Sequence, residues 1–221
     1  MNVRRRRADA IHVGGEAGDV IIGGEKGLWA TARVVPLLLT IALIGGMLET
    51  VAWGVYQVYA LNNGFPMRTA GWLLSVFFAG QIVLTYPIGW VADRVDRRVM
   101  LVWIGVISMA LMFSMYLWGR TIAIWGIVFM SGGVFNAVYT LGLAVLGQRF
   151  ETKSLASAGA AFMTAYSVGA VAGPPLVGAL MDRFGPGALP VVLGAAAVVV
   201  ALSAIAGRSE WSPRLLTVLD T

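Results

Sequence analysis

Cysteine is absent from this 221-residue chain, and histidine occurs once, as His12. Disulfides, Fe–S clusters and thiolate metal sites are thereby excluded, and no histidine-based metal or acid–base cluster can be assembled. Charge is scarce too. Asp, Glu, Lys and Arg make up 12% of residues, against roughly a quarter in an average soluble domain. No glycine-rich loop ends in Lys-Ser or Lys-Thr, the pattern that cradles nucleotide phosphates, which argues against an ATP-driven pump. No apolar segment pairs a nucleophile with a base, so enzymatic chemistry has no candidate residues and no cofactor is expected.

Apolar residues fill the space instead. They account for 58% of the chain, and the mean hydropathy is +0.80, which places the protein in lipid. Crossing a bilayer as helix takes about 20 apolar residues, and six such segments are legible: Val35–Leu61, Gly71–Ala92, Val99–Trp118, Thr121–Leu146, Ser157–Met181 and Leu189–Ala206. Gly, Pro, Asn and charged residues mark every joint. The joints are short, so consecutive helices must run antiparallel. The expected fold is therefore an all-α integral membrane bundle of six transmembrane helices over residues 35–207. A polar segment (1–34) precedes it and a short tail (208–221) follows.

Basic residues set the orientation. With both termini in the cytoplasm, the cytoplasmic side holds 13 of the 16 Lys and Arg, and only Arg68, Arg120 and Arg183 fall outside. That asymmetry satisfies the positive-inside rule and predicts a multi-pass protein with both termini in the cytoplasm. The run Arg4–Arg7 reads as a topology-setting block rather than a nucleic-acid patch. It is followed by Gly, Glu and Asp, so it does not open a cleavable signal.

Polar groups inside the spans carry the functional expectation. Glu49 lies in the middle of the first helix, where a charged side chain costs roughly 2.5–3.5 kcal/mol on insertion scales. Trp53, Tyr56 and Gln57 follow at i+4, i+7 and i+8, on the same expected face. The second helix offers Gln81, Thr85 and Gly89 every four residues, and the fourth clusters Asn136, Tyr139 and Thr140. The third and sixth helices are nearly devoid of polar groups and read as lipid-facing or scaffold-like. Glu49, Trp53, Tyr56, Gln57, Gln81, Asn136 and Tyr139 are thus the expected lining of a substrate or proton path. A packing role for a protonated Glu49, hydrogen-bonded to a neighbouring helix, is the competing reading.

The fifth helix has a ridge of Ser157, Ala161, Ala165, Gly169 and Gly173 that would let another backbone approach closely. Pro174 and Pro175 then remove two backbone donors and are expected to bend or loosen the helix. On the third helix Met109, Met112 and Met115 recur every three residues. Thioethers suit Cu(I), but Met is also an ordinary gap-filler, and no metal site is expected.

The loop between the second and third spans reads Gly89-x-x-x-Asp93-Arg94-x-x-Arg97-Arg98. It resembles the signature loop of the major facilitator superfamily, a large class of secondary transporters. Gly169-Ala-Val-Ala-Gly173-Pro174-Pro175-Leu-Val-Gly178 resembles the glycine-proline motif of the fifth helix in each six-helix half. The likeness spans roughly residues 36–206 and is greatest to the C-terminal half of bacterial drug- and sugar-type members, with 1–34 resembling the linker between halves. The resemblance implies a secondary transporter of a small-molecule substrate, working by alternating access. It implies that Asp93, Arg94 and Arg97, with Arg98 beside them, clamp neighbouring helix ends, and that Gly89 is a close-packing site. It also implies that the first and fourth helices line a cavity, and that a second six-helix half is needed as partner, whether in the same longer chain, in a separate chain or as a homodimer. One position departs from the pattern: residue 96 is Asp where Gly is usual, and Asp tolerates left-handed backbone. A non-transporting scaffold or regulatory subunit that grips another six-helix half is the alternative from a different class.

Overall fold

The computed structural model describes residues 36–150 and 152–206. The expected N-terminal segment and C-terminal tail, with the basic residues they carry, lie outside the described residues. Within them the chain forms six helices: α1 (Pro36–Asn62), α2 (Met67–Ala92), α3 (Arg97–Trp118), α4 (Ala123–Arg149), α5 (Thr152–Phe184) and α6 (Ala188–Ala206). All six are long and apolar enough to cross a membrane. The protein is an all-α, multi-pass membrane bundle.

Turn chemistry separates the rods. Gly64 follows α1 at φ +84° and Gly185 follows α5 at φ +83°, left-handed positions that a side chain would strain. Asp96 behaves differently from expectation. Its φ is −52°, and its side chain accepts a hydrogen bond of 2.8 Å from the Arg98 amide, so it is the N-cap of α3. An N-cap needs extended backbone, which is why Asp replaces Gly here without any left-handed turn. α5 runs on as one helix through Pro174 and Pro175 to Phe184.

The helices pack most extensively in three pairs: α1 with α5, α2 with α4, and α3 with α6. Glycine makes each crossing. A Cβ on Gly46 would lie 2.1 Å from the Tyr166 carbonyl oxygen, and one on Gly169 would lie 1.8 Å from that of Leu43. On the other side of the bundle, a Cβ on Gly132 would lie 2.0 Å from the Phe77 carbonyl oxygen, and one on Gly80 would lie 1.8 Å from that of Phe129. Gly105 of α3 meets Ala201 of α6 in the same way. Exchanging α1 with α4, α2 with α5 and α3 with α6 maps each pair onto another or onto itself. The bundle is therefore a pair of three-helix repeats of inverted topology.

Burial follows from this arrangement. α1 and α4 are the most buried helices, while α2 and α5 are the most exposed. The third and sixth helices, expected to be lipid-facing or scaffold-like, bury one face each on the other, because Gly105 and the small residues of α6 let them close together, and leave Trp103, Phe113 and Leu202 exposed on other faces. Ile82, Tyr86 and Val171, all more than three-quarters exposed, mark the open faces of α2 and α5.

Gly169→Ala drives a methyl into backbone and should destabilise the bundle by about 1–3 kcal/mol, the usual cost of overpacking. Gly178→Ala meets nothing within 4 Å and should be neutral or slightly stabilising through helix propensity. Thermal unfolding of the two variants in the same detergent checks the contrast.

Candidate functional site

α1 carries Glu49 into the interior, where its side chain is 5% exposed. Both carboxylate oxygens are held. Gln81 of α2 donates from Nε2 to Oε1 at 2.8 Å, and the Tyr166 hydroxyl of α5 donates to Oε2 at 2.6 Å. One carboxylate thus ties three helices together. Its partners are neutral donors, and no Lys, Arg or His lies on α1. A buried carboxylate satisfied this way costs less than a bare one, yet carries no compensating cation.

The remaining expected residues divide. Asn136 of α4 donates to Thr85 Oγ1 at 3.2 Å, and Thr85 in turn donates to the Gln81 backbone carbonyl. Tyr139 stacks at a tilt on Tyr166, with centroids 5.1 Å apart, and reaches the Met163 sulfur at 3.8 Å. Gln81, Tyr139 and Asn136 therefore sit one, two and three contacts from Glu49. Trp53 is 41% exposed and leans on Phe78 at 5.7 Å, and Gln57 is half-buried.

Tyr56 departs from the expected lining. It is 1% exposed, its hydroxyl donates to Ser131 Oγ at 3.3 Å, and its ring meets Phe77 edge-on. The stripe on α1 is continuous, but the neighbours it meets change along the helix. At Glu49 they are α2 and α5, and at Tyr56 they are α2, α3 and α4. Met112 and Met115 are likewise core residues and Met109 is exposed, so the thioethers do not converge. Among the described residues there is no cluster of metal-ligating side chains.

The loop arginines reach helix ends. Arg97 donates to the Ala144 carbonyl of α4, and Arg98 donates to the Ala204 and Ile205 carbonyls of α6 at 2.8 and 2.7 Å. Cations near helix C-terminal ends meet the negative end of the helix dipole, and Ala144 lies five residues before the end of α4. Arg94 does not join them: it folds back to the Trp90 carbonyl, with its guanidinium 3.6 Å over the indole. Among the described residues Asp93 forms no ion pair. Gly89 faces open space rather than a close neighbour, as does Gly178, whereas Gly173 packs on Met47 and Val51.

Tyr166 was missed by reading the spans singly. It stands beside Ala165 and three residues before Gly169, on the small-residue ridge itself. A phenol on a ridge that abuts another backbone must find a polar partner there, and Glu49 is that partner.

Comparison with known proteins agrees with this architecture. The family model for the Major Facilitator Superfamily matches residues 38–214. A transporter of Bacillus subtilis, the MFS-type YfkF, is 26% identical over 169 residues, covering 76% of this chain and 43% of its own length. MFS-type transporters of Yersinia enterocolitica and Enterobacter are each 22% identical, over 71% and 76% of this chain. The chain spans less than half the length of these relatives, 40% to 43%. A bundle of six membrane helices with inverted repeats, matched along most of its length by that family model, belongs to the major facilitator superfamily.

Proposed function

We propose that this chain acts as one six-helix half of a secondary transporter that moves a small solute by alternating access, with Glu49 as the group that binds a proton or contacts the solute. The observation that carries this reading is the buried carboxylate of Glu49, held by neutral donors from α2 and α5. Gaining or losing a proton there changes what the oxygens can accept, so it changes the bonding between three helices at once. Family membership supports transport in general terms.

The second half packs on the exposed faces of α2 and α5. Ile82, Tyr86 and Val171 supply the apolar contact, and relatives more than twice as long leave room for a unit of similar size. The charged loop is cytoplasmic, as are both termini, in a bacterial inner membrane. Arg68, Arg120 and Arg183 fall at the opposite end of the bundle from Arg94, Arg97 and Arg98, in keeping with the positive-inside rule.

Glu49→Gln should abolish proton-coupled solute flux in proteoliposomes carrying the membrane-purified full-length chain, with the fold intact, because the amide preserves size and still accepts from Tyr166, while a flip of the Gln81 amide lets the new NH2 donate to it. Flux that stays pH-driven in this variant overturns the assignment. Tyr166→Phe strips one donor from a buried acceptor and should lower stability by about 1–3 kcal/mol. Thermal unfolding of this variant, alone and combined with Glu49→Gln, reads the coupling between the two residues.

A further inference from the structure

The open faces of α2 and α5 carry matching stripes that run in opposite senses. On α2, Ser75, Ala79, Ile82 and Tyr86 are exposed, and Arg68 stands seven residues before the first of them. On α5, Thr164, Val168, Val171 and Pro175 are exposed, and Asp182 stands seven residues after the last. Steps of three and four keep each set on one side of its helix, the spacing of a coiled-coil seam. α2 and α5 run antiparallel, so Arg68, near the start of one, and Asp182, near the end of the other, lie at the same end of the bundle, away from the charged loop. Both are exposed, and among the described residues neither has a hydrogen-bond or ion-pair partner.

We propose that the partner on these faces is a second copy of this chain, related by a two-fold axis along the membrane normal, with α2 of each copy laid against α5 of the other. The proposal rests on the reading of the chain as one half of a transporter and names the other half. Counted inward from Arg68 and Asp182, Ser75 and Pro175 both stand at seven residues, Ala79 and Val171 at eleven, Ile82 and Val168 at fourteen, and Tyr86 and Thr164 at eighteen. Size follows the same register. The small Ala79 is level with Val171, and the large Tyr86 with the smaller Thr164, where Val171 and Tyr86 are each more than three-quarters exposed. Close packing of this kind is what holds helices together in lipid. Charge then selects the pairing. Laying α2 on α2 would set Arg68 against its own copy, and laying α5 on α5 would do the same to Asp182, whereas α2 on α5 brings opposite charges together at both contacts of the two-fold. A partner of different sequence would require no such match within one chain.

The absence of cysteine makes a direct test possible. Full-length chains with Ala79→Cys and with Val171→Cys, carrying different tags, are co-expressed and oxidised in the membrane. A mixed disulfide dimer should form at least about fivefold more readily than Ala79→Cys links to itself, because a disulfide forms only where Cα atoms come within about 7 Å. Charge reversal supplies a second arm, read as the monomer–dimer equilibrium of the full chain in lipid vesicles. Arg68→Asp or Asp182→Arg alone should weaken association about tenfold, and the two together should restore it, because the pair is remade with its signs exchanged. A chain that stays monomeric, Ala79→Cys that links to itself equally well, or a double reversal no better than the single ones overturns the proposal. Assembly is read without solute, so its failure is separate from that of the Glu49 assignment, which the flux of Glu49→Gln decides.

Discussion

Four glycines set the distances on which the interior depends. Lipid tails are as apolar as the side chains they touch, so helices in a bilayer associate through close packing rather than through escape from water. Gly46 and Gly169 bring α1 and α5 to backbone contact, and Gly80 and Gly132 do the same for α2 and α4. At such separations a carbonyl sits over a Cα hydrogen, a weak attraction that recurs along the crossing. Glu49 lies just past the first crossing, and Gln81 is adjacent to Gly80. The carboxylate can therefore be reached from two helices without stretching either partner, and an alanine at these glycines would push the helices apart.

The charged loop supports the same frame from outside the apolar layer. Arg97 and Arg98 are separated by one peptide bond yet reach different helices, α4 and α6. Asp96 makes this possible by starting α3 immediately before them. The residue that breaks the usual loop pattern is thus the one that positions both cations.

Much of the architecture could be read from composition alone. Six apolar runs separated by Gly, Asn and charged joints correspond to six helices, and the helices extend past the runs because polar end residues such as Met67–Ala70 and Thr152–Lys153 continue the backbone pattern. Glu49 was legible as well, since an acid at mid-span must have a reason. What a linear reading cannot supply is which neighbour each face meets. Tyr56 and Glu49 share a stripe on α1 but face different helices, and Tyr166 declares itself only once α5 is laid against α1. The exposure of α2 and α5 was hidden for the same reason: Gln81 and Thr85 make α2 look inward, while Ile82 and Tyr86, one residue on from each, turn outward.

The inverted repeat carries a last consequence. The register that matches Gly46 to Gly132 matches Glu49 to Phe135, and the one that matches Gly80 to Gly169 matches Tyr166 to Phe77 and Gln81 to Ala170. Every member of the carboxylate knot has a hydrocarbon twin across the pseudo-dyad, and Phe77 and Phe135 are fully buried. One flank of the molecule is thereby hydrocarbon throughout, where the other holds a carboxylate bonded to two neighbouring helices. A symmetric scaffold thus carries a lopsided fastening.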